Sequence, residues 1–215
     1  KNSARIYNTS KAAVSMFSPE SWPLAGNYGN GILHAENSTF NNCRRMVEFM
    51  SWSPMPNTSY IRGCVQNGGK WGITNWNCQG IEVTDNIFNG MSSSCIVSEA
   101  GSFEIVNNFF KSNENDILFN NVSAGFESHI DYNSFYGSNF GYNARGTTIG
   151  KNRIFENSFN TNYIDAFNDG NNNFNMLNNE FYGPIGAVSI DNGSGHGDII
   201  MNKFSDNFIG ILTYG

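Results

Sequence analysis

Charge is what this chain has least of. Only 14% of its 215 residues are Asp, Glu, Lys or Arg, and 12 basic against 18 acidic side chains give a net charge of -6. Neutralising phosphates takes a concentrated basic face, and no basic run is longer than Arg44-Arg45, so no nucleic-acid partner is expected. Long apolar runs are missing too, which predicts no membrane-spanning helix. The four cysteines, Cys43, Cys64, Cys78 and Cys95, lack the paired short spacings of a zinc site and read as buried free thiols. Leucine is scarce and no segment has helical spacing, which excludes a leucine-rich repeat. There is neither an initiating Met nor a signal-peptide pattern, as expected of a mature or trimmed piece.

What is plentiful is Asn, Gly, Ser and Phe. With 39% hydrophobic residues and 18 Phe, the chain can build the core of a single domain. The aromatics recur in register: Asn86-Ile87-Phe88, Asn108-Phe109-Phe110, Asn133-Ser134-Phe135, Asn157-Ser158-Phe159, Asn179-Glu180-Phe181 and Asn202-Lys203-Phe204. Successive Phe residues lie 22, 25, 24, 22 and 23 residues apart, the period of a solenoid coil. Five residues before each Phe stands an apolar residue (Val83, Ile105, Ile130, Ile154, Met176, Ile199) preceded by a polar one. That is the alternation of a half-buried strand. A second alternating pair follows the Phe, as in Ile117 with Phe119, Val188 with Ile190, or Cys95 with Val97. Each period therefore holds about three short strands joined by tight bends.

The register predicts about eight or nine coils of 22–25 residues, with Asn and Phe columns stacked inside. Spacing by 24 puts Cys64 in the Phe slot between Phe40 and Phe88, and places Ser38 and Arg62 where the Asn column breaks. Residues 1–30 read as an irregular first coil and loop, with Phe17 one period before Phe40, and residues 31–215 as one parallel β-helix.

The pattern apolar-x-x-Asn-x-Phe, followed by a Gly-rich bend and a second strand, resembles the parallel β-helix repeat of the pectate-lyase-like superfamily. The resemblance covers residues 31–215 and implies an all-β, single-domain, right-handed parallel β-helix. It also implies an extracellular or cell-surface protein that binds, and cleaves as a glycoside hydrolase or polysaccharide lyase, a polysaccharide along the strand after the Gly-rich bend.

Two outward faces follow from the register. The first carries His34, Thr58, Glu82, Glu104, His129, Arg153, Asn175 and Asp198, a polar ladder in which neighbouring Glu82 and Glu104 would raise one pKa unless His129 or a metal compensated. The second, the face the resemblance favours, carries the candidate catalytic residues Asp116, Arg145, Asp165, Asp169 and Asp191. Here Asp169 and Asp191 fall one coil apart, and Asp116 and Asp165 two coils apart. Those separations match retaining and inverting carboxylate pairs respectively. Trp76, Asn120, Asn143 and Phe167 are the candidate substrate-binding residues, and Asp116 with Asn120 could help hold a cation such as Ca2+ through oxygen ligands. Closer matches are incomplete. Asn162-Tyr163-Ile164-Asp165 is similar to the Asn-Thr-Asp segment of polygalacturonases, but Gly186-Ala187 stands where the paired Asp belongs. Arg145 resembles the lyase Arg, while the preceding coil lacks the lyase Lys.

A non-catalytic carbohydrate-binding, adhesin or phage-spike-like module fits the same pattern. The sequence reaches Ile211-Leu212-Thr213-Tyr214-Gly215 in mid-strand, which predicts that a further segment or a homo-oligomer covers the coil end.

Overall fold

A computed structural model describes residues 4–16, 31–120, 127–145, 148–160, 162–170, 172–183, 185–192 and 196–213. Among these the chain is all β and winds into a parallel solenoid of three sheets, of nine, nine and eight strands. Strands three apart in the chain pair with each other throughout. One coil shows the pattern: Phe103–Val106 lies in the third sheet, Phe109–Lys111 in the first and Asn115–Asn120 in the second.

Corner chemistry explains the repeat. The residue between the third-sheet strand and the Asn has positive φ in coil after coil: Asn37, Gly63, Asp85, Asn107, Tyr132, Glu156, Asn178 and Met201 lie between 49° and 60°. Asn and Asp tolerate this left-handed turn and Gly suits it, whereas Tyr132, Glu156 and Met201 occupy it against their preference. The ladder Asn follows directly and secures the corner. Asn108 Oδ1 accepts from Asn86 N and Nδ2 at 2.9 and 3.0 Å, while Asn108 Nδ2 donates to Val83 O at 2.8 Å. The same bonds recur through Asn133, Asn157, Asn179 and Asn202. Backbone groups that the turn leaves unpaired are thus satisfied inside the protein.

Beside this ladder the Phe rings stack face to face from Phe88 through Phe110, Phe135, Phe159 and Phe181 to Phe204, with centroids 4.5 to 5.2 Å apart. The expected third-sheet column Val83, Ile105, Ile130, Ile154, Met176 and Ile199 is in register on the inner side. All four cysteines are buried and free, as expected.

Three register expectations need correction. Gln66, not Cys64, occupies the Phe slot, pairing with Phe40 and Phe88, and Cys64 fills an Asn slot whose N–H donates to Asn86 Oδ1 at 2.8 Å. The step from Phe40 to Gln66 is longer than the average period, because the strand Arg45–Pro56 carries an irregularity between Met50 and Met55. The first coil begins earlier than expected: Arg5–Tyr7 pairs with Thr39–Asn41, so Ile6 takes the Phe position. Phe17, with most of the predicted loop (residues 17–30), lies outside the described residues. In the coil of Cys95 the inward strand residue is Ile96, and Val97 faces outward in the column of Leu118.

Candidate functional site

Among the candidate residues whose burial is described, some lie sealed inside the coil and others on its outer face. Asp116 and Asp165 are fully buried, not outward. At the bend between the first and second sheets the chain turns two successive side chains inward, Asp116 with Ile117 and Asp165 with Ala166. Each Asp is tied to an Asn three residues earlier. Asn113 Nδ2 donates to Asp116 Oδ1 at 2.7 Å and Asn162 Nδ2 to Asp165 Oδ1 at 2.8 Å, with Ser138 Oγ adding a 2.8 Å bond to Asp116 Oδ1. The Asn-x-x-Asp segment that resembles a polygalacturonase motif is therefore an interior brace, and it occurs twice at the same offset from Phe110 and Phe159.

Gly141 occupies the coil between the two acids, where a Cβ would lie 2.7 Å from Asp165 O and 2.8 Å from the Phe159 ring. The second oxygen of each carboxyl has no hydrogen-bond partner among the described residues. Burial pushes Asp116 up to about 8 and Asp165 up to about 7, against the opposing pull of their hydrogen bonds. Burial thus favours the protonated form of both, and neither has access to a polymer outside the coil. The proposed cation pairing of Asp116 with Asn120 fails for the same reason, since Asn120 instead donates to Glu99 Oε1 at 2.7 Å.

Asn143 is also fully buried, though on the outer face. Its amide donates to Asn115 Oδ1 at 2.9 Å and accepts from Arg145 Nε at 3.1 Å, so it positions Arg145. Phe167, half-buried in the same column, tilts against Phe140 at 6.0 Å.

The remaining candidates come together at the far margin of the second sheet. Register places Trp76, Glu99, Asn120 and Arg145 on four successive coils, each directly beside the next. Asp169 follows the residue paired with Ala144 and is itself paired with Asp191. Trp76 is 45% exposed and Arg145 is exposed. The sequence had no signal for Glu99, which becomes visible only once the register sets it between Trp76 and Asn120. With coils about 4.8 Å apart, an indole face, a carboxylate-bound amide two coils on and a guanidinium in the next coil can stack on a sugar ring and bond hydroxyls along the solenoid axis.

The polar ladder of the third sheet runs as expected through His34, Glu82, Glu104, His129, Arg153, Asn175 and Asp198, with Tyr60 in place of Thr58. Its central charges, from Glu82 to Arg153, are paired. Arg62 holds Glu82 with two bonds of 2.8 and 2.6 Å and keeps the Glu82 carboxyl below the usual range, the opposite of a rise at that residue. His129 Nδ1 lies 3.0 Å from Glu104, and Arg153 bonds Asp131. No group of three His, Cys, Asp or Glu residues suited to a metal ion occurs among the described residues.

With this geometry in hand the chain was compared with known proteins. No family model, curated protein or solved structure matches it. Its fold is a parallel β-solenoid. Among the described residues no helix is long and apolar enough to cross a membrane.

Proposed function

We propose that this chain is a polysaccharide-binding β-solenoid, of the pectate-lyase-like kind, working outside the cell or on its surface. One observation carries the reading: Trp76, Glu99, Asn120 and Arg145 stand in line on the outer margin of the second sheet, the strand position at which the resembling superfamily places its groove. Support for the superfamily itself comes from the apolar-x-x-Asn-x-Phe repeat and its ladder. Burial of Asp116 and Asp165 removes the inverting pair and leaves Asp169 with Asp191 as the one candidate carboxylate pair for cleavage, so binding is the reading we take.

Trp76→Ala is expected to weaken binding to a glycan selected by array screening by about tenfold, the scale of one aromatic contact. Arg145→Ala should weaken it to a similar degree, with an unchanged thermal midpoint. Asp165→Asn should bind like the parent. Calorimetric titration of the three variants reads this directly. A glycan affinity indifferent to both Trp76 and Arg145 would remove the column from the account, and turnover abolished by Asp165→Asn would restore the cleavage reading.

A further inference from the structure

At the opposite margin of the second sheet, four of the twelve basic residues of this acidic chain converge. Ala12, Arg45 and Trp71 are paired in register on three successive coils, and Lys11, Arg44 and Lys70 immediately precede them. The cations gather on one indole. Arg44 Cζ, Arg45 Cζ and Lys70 Nζ lie 5.6, 4.8 and 4.2 Å from the Trp71 ring centroid. Beside them opens a cleft of about 250 Å3 lined by Lys11, Ala12, Ser15, Arg44, Arg45 and Glu48.

The cluster is undercompensated. Among the described residues Glu48, which bonds Arg45, is the only carboxylate lining the cleft, and Lys11, Arg44 and Lys70 make no ion pair. Arg45 Nε is shut off from solvent and has no acceptor among the described residues. Holding three cations against one ring costs mutual repulsion that the ring quadrupole offsets only in part. An oxyanion would remove that repulsion and accept from the guanidinium fork.

We infer that this cleft is an anion-binding subsite for a sugar carrying a sulfate or carboxylate group. The macromolecular character of the ligand rests on the polysaccharide reading above, because Trp71 and Trp76 lie on one strand, Trp71–Gln79, so that one glycan can reach both margins of the sheet. Anion capture itself stands on the cluster alone.

The test is calorimetric titration of the full chain, at low and high salt, with dextran sulfate, polygalacturonate, neutral dextran and oligo-dT. Dextran sulfate or polygalacturonate should bind at least about tenfold more tightly than dextran and lose that margin in high salt. Whichever of the two binds better identifies the anion. The double variant Arg44→Ala/Lys70→Ala, with both side chains exposed, should keep its thermal midpoint and lose the preference. Arg44→Lys/Lys70→Arg should retain it. Equal binding of the parent and the double-Ala variant overturns the inference, as does oligo-dT binding as tightly as the charged glycans. Neutral-glycan binding that depends on Trp76, without any preference for charged glycans, also overturns it while leaving the polysaccharide reading intact. If charged glycans bind through the cleft but Trp76→Ala and Arg145→Ala change nothing, the subsite stands and the column reading falls.

Discussion

At pH 8, Asp116→Asn should make the protein more stable by about 5 kcal/mol, whereas at pH 4 the two proteins should differ little. The sign follows from where the proton sits. In the unfolded chain this carboxyl loses its proton near 3.8, but in the folded coil burial keeps it protonated up to about 8. Between those values the native state binds more protons than the unfolded state. Its stability is therefore fully present below 3.8, falls as pH rises through the window, and levels off above 8. Asp165 adds the same trend, ending near 7. An amide at position 116 keeps the acceptor used by Asn113 and Ser138 and never ionises. Neighbouring groups do not reverse the effect. Gly141 is next in the column on one side, and on the other stands Cys95, whose thiol is itself pushed well above its usual range by burial and by Asp116. Urea unfolding from pH 4 to 9 for the parent and Asp116→Asn measures this directly. Parallel curves would show that Asp116 ionises freely and that the coil interior is wetter than described.

Asn133→Ala should cost about 3–6 kcal/mol at any pH, because it strands several buried groups at once. Asn133 Oδ1 accepts from Asn108 N at 2.8 Å and Asn108 Nδ2 at 3.0 Å, and its own amide donates to Ile105 O, Asp131 O and Asn157 Oδ1. Alanine removes every one of these partners in the middle of the stack, where Asn133 is buried. Chemical unfolding measures the loss. A cost below about 1 kcal/mol would mean that the ladder can be bridged by relaxation of the coil and does not hold the corners.

The sequence revealed the ladder because the same residues recur from Asn86 to Phe204: an Asn amide satisfies each corner from within, and a large flat ring fills the slot beside it. The same logic failed wherever the backbone departed from strict alternation. Counting by twos from Ile117 sends Asp116 outward, yet the corner turns both inward, and the repeated Asn113-x-x-Asp116 and Asn162-x-x-Asp165 was the available signal. Uniform spacing likewise gave Cys64 the slot of Gln66, since a strand irregularity is invisible in an average period. Surface clusters were harder still. Lys11, Arg44, Arg45 and Lys70 come from three coils and leave no local pattern, whereas Trp76, Asn120 and Arg145 could be chosen from the register, and only Glu99 between them was missed.

The proposal that a glycan lies along the outer wall of the second sheet is tested most directly by a crystal structure with an oligosaccharide taken from the array screen. The account predicts a sugar ring against the Trp76 indole, with Asn120 and Arg145 on its oxygens. An oligosaccharide bound only on the first or third sheet would contradict it.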